Sequence, residues 1–188
     1  MIQRSGDAQK LELSRSVTHN SESLSRWEAP KEDFVKCNVG VSWSKRNSLL
    51  GASWIVCNEH GECLIHSRRT FGNVNSVADG RAFGNVNSLA DGRFLGLMLA
   101  IESMTSHHLH QVFFEIEAMD LVGAVLRPKA WPAFRYQETE LKKALEKINE
   151  WSLTGAAVRL NRCAAKVAES STSSRGVQRV QQHMAPHL

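Results

Sequence analysis

Phe34-Val35-Lys36-Cys37-Asn38-Val39-Gly40-Val41 is the stretch on which the reading of this chain turns. It alternates strictly. Val35, Cys37, Val39 and Val41 fall on one face, and Lys36, Asn38 and Gly40 on the other. That period of two belongs to a strand with one buried apolar face. Pro30 stands just upstream, where a prolyl ring can start a sheet without interrupting a ladder. The polar face is the informative one. A lysine, an asparagine and a glycine in succession on a central first strand point to a site rather than to packing.

Working outward, Ser42–Ser48 reads as a basic turn carrying Lys45 and Arg46. Leu50–Cys57 is a second strand, Asn58-Glu59-His60-Gly61 a turn and Cys63–Thr70 a third strand. Short connections make the three an antiparallel meander. Phe71–Ala82 is then repeated as Phe83–Phe94, with Leu89 for Val77 and Phe94 for Ala82. Two copies are too few for a solenoid. The expected structure is a duplicated surface connection, since doubling a loop costs only about 0.6 kcal/mol. Asp91 is expected to cap a helix to Met104 with Phe94, Leu97, Met98 and Ile101 on one face. Thr105–His110 is a loop, and its histidines His107, His108 and His110 are expected in solvent rather than on a metal. Val112–Glu117 reads as a fourth strand, Ala118–Leu126 as a short helix and Glu138–Trp151 as an amphipathic helix. Ala156–Leu160 is expected as the fifth strand, with Asn161 capping a last helix, Arg162–Ser170. Residues 1–26 and 172–188 are polar and aperiodic and are expected to be disordered tails around one domain, 27–171. The order β-β-β-α-β-α-α-β-α predicts an α/β domain: a mixed five-stranded sheet, meander plus parallel strands, with helices on both faces.

The net charge of +4 and pI near 9.0 suit a phosphate-bearing partner without requiring one. No apolar run approaches the roughly 20 residues of a membrane helix. The N-terminus shows no signal-peptide core, and Asp7, Glu12 and Glu22 argue against a transit peptide, so an intracellular monomer in cytosol or nucleus is expected. Cys37, Cys57, Cys63 and Cys163 sit in apolar segments and, with no secretory signal, read as reduced, buried thiols, and the spacing of Cys57 and Cys63 fits no common zinc motif.

Trp27-Glu28-Ala29-Pro30 followed by Val35-Lys36-Cys37-Asn38-Val39-Gly40-Val41-Ser42 resembles the opening of plant ribonuclease H-like domains related to non-LTR retrotransposon reverse transcriptases. Their pattern is a tryptophan, one or two prolines, then Val-Lys-Leu-Asn-Val-Asp-Gly. The resemblance continues to about Ser171. It implies the ribonuclease H fold and, in active members, cleavage of RNA/DNA hybrids by carboxylates holding two magnesium ions about 3.5–4 Å apart.

The resemblance also locates four catalytic positions. Gly40 replaces the first aspartate. Arg93 falls where the helix glutamate belongs, two residues before Leu95-Gly96-Leu97. Glu117 keeps the third carboxylate. Ala165 replaces the aspartate of an Asn-x-x-Ala-Asp motif that here reads Asn161-Arg162-Cys163-Ala164-Ala165. One carboxylate cannot fix two ions, so the implied reading is a nucleic-acid-binding domain with hybrid cleavage and magnesium lost. Lys36, Asn38, Lys45, Arg46, Arg93, Asn161 and Arg162 are the expected binding residues, with Arg159 and Lys166 nearby and Trp43 and Trp131 as stacking surfaces. Two alternatives stand beside it: an active hybrid ribonuclease rebuilt around Glu115 and Glu117, and a protein-interaction domain or retroelement relic.

Overall fold

The computed structural model describes residues 26–47, 49–72 and 88–173, together with the backbone of Gln181–Met184. The elements are β1 (Val35–Ser44), β2 (Leu49–Cys57), β3 (Cys63–Phe71), α1 (Leu89–Ser106), β4 (Gln111–Ile116), α2 (Met119–Leu126), α3 (Arg135–Leu145), β5 (Glu150–Gly155), α4 (Arg162–Ser173) and β6 (Gln181–Met184). Short 3-10 turns at Pro128–Ala130 and Pro132–Phe134 link α2 to α3, each begun by the proline that ends the helical run before it.

The sheet order is β5-β4-β1-β2-β3-β6. The expected meander is present: β1 pairs antiparallel with β2, and β2 with β3. β4 lies parallel to β1, and β5 parallel to β4, each reached through helices. β1 is therefore central, as its alternation implied.

The apolar face of β1 carries the core. Cys37 and Val39 are buried there beside Trp54, Phe114 and Ile116, under Leu97, Ile101 and Met104 of α1. Each large apolar side chain so buried contributes about 1.5–3 kcal/mol. Gly92 and Gly96 let α1 lie close. A Cβ at Gly96 would stand 2.7 Å from Val41 Cγ2. Leu121, Leu141, Leu145, Ile148 and Leu153 extend the same cluster to α2, α3 and β5. On the opposite face α4 crosses β1, β2 and β3.

Four expectations need correction. The fifth strand is Glu150–Gly155, not Ala156–Leu160. The stripe Leu141, Leu145, Ile148 continues past the end of α3, which masks the alternation of Trp151 and Leu153 against Ser152 and Thr154. Ala157–Leu160 instead closes a turn, with Leu160 N–H donating to Ala157 O at 2.9 Å. The cap of α1 is Ser88, whose hydroxyl accepts from Asp91 N–H at 3.1 Å and donates to the Asp91 carboxylate at 2.8 Å. The N-cap is thus three residues earlier than expected, and Asp91 sits in the first turn. The last part of the second repeat copy, Leu89–Phe94, is helix, while residues 73–87 of the repeat lie outside the described residues. Finally, Gln181–Met184, expected within a disordered tail, pairs antiparallel with β3 and covers an edge that would otherwise present unpaired backbone groups.

Candidate functional site

The polar face of β1 is a site in two halves, and each half is occupied by the protein itself. At the N-terminal half, Lys36 and Asn38 both turn toward Glu115, the register partner of Asn38 on β4. Lys36 Nζ lies 2.8 Å from Glu115 Oε1, and Asn38 Nδ2 donates to Glu115 Oε2 at 2.9 Å. Trp27 Nε1 donates to Asn38 Oδ1 at 2.8 Å, Lys36 Nζ donates to Glu28 O at 2.9 Å, and the ammonium stands 5.1 Å from the Trp27 ring centroid. The side chains of Lys36 and Glu115 are 11% and 19% exposed. Every charge here has its partner within the chain. Lys36 and Asn38, expected as nucleic-acid contacts, are engaged by Glu115, Glu28 and Trp27.

At the C-terminal half, α4 sits on Gly40. A Cβ built at Gly40 would fall into the Ala164 carbonyl and stand 2.6 Å from Ala165 N. Ser53, the register partner of Gly40, donates to Ala164 O at 2.6 Å. One helical turn on, a Cβ at Gly51 would collide with Ala168 O. Asn161 does not cap α4 with its side chain. Its Nδ2 donates to Val39 O at 2.7 Å, tying the helix start to β1. Asn161 is 1% exposed, with its Oδ1 buried and unpartnered.

The alignment therefore brings two of its four positions together, Gly40 and Ala165, but as touching backbone. Glu117 follows the end of β4, half-buried, with Oε1 buried and unpartnered. Arg93 lies half-buried on α1. Glu115, the carboxylate on which a rebuilt metal site would depend, is committed to Lys36 and Asn38. Among the described residues no three His, Cys, Asp or Glu side chains form a group able to hold a metal ion. Magnesium requires several hard oxygens in octahedral array. On the alignment of the resemblance, Glu117 alone among the four positions carries a carboxylate, and helix backbone lies against Gly40, which does not fit a pair of such ions.

The exposed cations lie elsewhere. Lys45 and Arg46 are exposed in the β1–β2 turn, which Asn47 ties to the far end of α4 by donating to Thr172 O at 3.0 Å. Arg162 and Lys166 are exposed on α4 itself. Trp43 packs against the core, and Trp131 closes over Gly123 and meets Phe134 edge-on at 5.9 Å, so neither offers a free stacking face. Tyr136, 66% exposed and 6.1 Å from the Phe94 ring, is the open aromatic surface that the sequence reading missed. Nothing in its sequence context distinguishes it. His107 Nδ1 lies 2.8 Å from Ser103 O, a helix-end contact rather than a metal ligand.

No protein-family model matches the chain, and no curated protein matches it in sequence. Solved structures do resemble it. Ribonuclease H1 of the halophilic archaeon Halobacterium salinarum superposes with a TM-score of 0.59 at 14% identity, over 74% of this chain and 98% of that one. The N-terminal RNase H domain of a Mycobacterium tuberculosis protein gives 0.57 at 9% identity, over 74% and 94%. A foamy viral protease–reverse transcriptase, solved in complex with an RNA/DNA hybrid, gives 0.52 at 8% identity, over 82% of this chain and 22% of that one. With the mixed sheet, the parallel β1–β4–β5 half and helices on both faces, these similarities establish that the chain has the ribonuclease H fold.

Proposed function

We propose that this chain is a ribonuclease H-like domain of the retroelement reverse-transcriptase type, plant-like in its opening motif, that binds RNA or RNA/DNA hybrid without cleaving it. The observation that carries the second clause is the contact of α4 with Gly40. If Gly40 stands for the first catalytic aspartate, as the resemblance implies, helix backbone lies against that place, and Ala165 beside it supplies no carboxylate. No metal-dependent step is assigned to the chain.

Binding rests on the cations left free. Arg162 and Lys166 near the start of α4 and Lys45 and Arg46 near its end stand along a helix of twelve residues, about 18 Å. Cations spread over that length can follow a phosphate backbone. With Arg93 they form the proposed contact set, and Lys36, Asn38 and Asn161 drop out of it. Phosphate contacts of this kind release counterions, so affinity falls linearly with salt on a logarithmic scale.

Fluorescence anisotropy with a labelled RNA/DNA hybrid over a salt series tests the proposal. Affinity is expected to fall with salt. In the Lys45→Ala/Arg46→Ala variant the slope is expected to flatten by about one for each phosphate-contacting cation removed. Absent binding, or binding indifferent to salt, would favour a protein-interaction role.

A further inference from the structure

All four cysteines are free thiols, but only Cys37 is buried as expected; Cys63 and Cys163 are exposed. Cys57, at the end of β2, and Cys63, at the start of β3, are direct register partners. Just inside them, Asn58 N–H donates to Glu62 O at 3.0 Å. Glu62 N–H turns instead to Asn58 Oδ1 at 2.9 Å, so Cys57–Cys63 is the last paired rung before the turn. Facing Cα atoms on an antiparallel rung stand about 4.5–5.5 Å apart. A disulfide accepts Cα separations of about 4.4–6.8 Å. The register shift between Val56 and Cys57 marks a bulge beside the pair, where the ladder is already interrupted and can adjust its twist. Cys63 is exposed and Cys57 half-buried, so a small reagent can reach one directly.

We propose that Cys57 and Cys63 are a dithiol site that a low-molecular-weight disulfide, such as oxidised glutathione, converts to an intrachain disulfide. The exposed Cys63 thiolate attacks one glutathione sulfur. The glutathione disulfide bond breaks, a protein–glutathione disulfide forms, and one glutathione thiolate leaves and takes a proton. The Cys57 thiolate then attacks Cys63 Sγ, forming the intrachain bond and expelling the second glutathione thiolate, which takes the second proton. The two protein thiols are oxidised by two electrons, and the small disulfide is reduced by the same two.

Burial raises both thiols above their ordinary range. For Cys57 the neighbouring Cys63 and Cys163 add to the effect, and Lys36 across the β1 rung opposes it. For Cys63 the backbone of Ile65 opposes it. Exchange is therefore slow at neutral pH, because the thiolate is the nucleophile. The ring so closed holds the Asn58–Glu62 turn, against which Trp27 rests: a Cβ at Gly61 would stand 3.6 Å from its ring. Oxidation would thus stiffen the surface under the N-terminal segment.

The test is incubation of the native chain with oxidised glutathione, acid quenching, digestion and mass spectrometry. The expected product links Cys57 to Cys63, two hydrogens lighter than the dithiol, with exposed Cys163 carrying glutathione and buried Cys37 free. Dithiothreitol should restore all four thiols. In Cys57→Ser the Cys63–glutathione adduct should accumulate, since the resolving thiol is gone. A stable Cys63–glutathione adduct in the native chain with Cys57 free would overturn the proposal. So would a Cys57–Cys163 bond, or an unmodified Cys63 once Cys163 is fully modified. The native-chain result decides without reliance on the variant.

Discussion

Gly40 shows how one residue can change the meaning of a site. Its missing side chain reads in sequence as a lost ligand, and in the structure it is the seat of a helix. The consequence is that returning an aspartate there is not a repair. Gly40→Asp must push the α4 backbone away, and overpacking of this kind costs about 1–3 kcal/mol or more. Thermal unfolding should show a loss of several degrees, at roughly 2–4 °C per kcal/mol for a chain of this size. An unchanged midpoint would mean that α4 does not sit where described. Glu115→Ala tests the other half of the strand. It leaves Lys36 largely buried without its carboxylate, which costs about 3 kcal/mol by comparison with other broken buried pairs. A urea midpoint near that of the native chain would show the network to be dispensable. The alternation of Phe34–Val41 made the polar face legible as special. What sequence could not give was who occupies it, because Trp27, Glu115 and Ala164 reach these residues only through the fold.

At the scale of elements, the meander, β4 and the last helix were readable because each had its own period or turn signal. β5 was misplaced because the apolar spacing of α3 runs into it without a break. The start of α1 was misplaced by one turn because Asp91 is a good cap in isolation, whereas here the Ser88 hydroxyl is the cap and bonds both the N–H and the carboxylate of Asp91. Ser88→Ala should cost about 1 kcal/mol. Circular dichroism melting reads that loss, and no shift would remove Ser88 from the cap. Ser88 also belongs to the duplicated segment. Excising residues 73–84 leaves one uninterrupted copy running into the same cap. Loop entropy alone then changes stability by about 0.6 kcal/mol. A much larger loss in urea unfolding would give the extra copy a structural role.

At the scale of the molecule, the ribonuclease H fold places β1 centrally and brings the ends of β1 and β4 and the start of α4 to one place. Two of the four aligned positions, Gly40 and Ala165, meet there, and neither carries a carboxylate. What the fold still offers is a helix flanked by exposed Lys45, Arg46, Arg162 and Lys166, a surface that depends on charge rather than on carboxylates. The measurement that bears most directly on binding without cleavage uses an end-labelled RNA/DNA hybrid and native protein, with magnesium and separately with manganese, resolved on both native and denaturing gels. The expected result is a salt-sensitive shifted complex whose RNA strand remains full length. Metal-dependent shortening of the RNA by the native chain, abolished in Glu117→Ala, would contradict it.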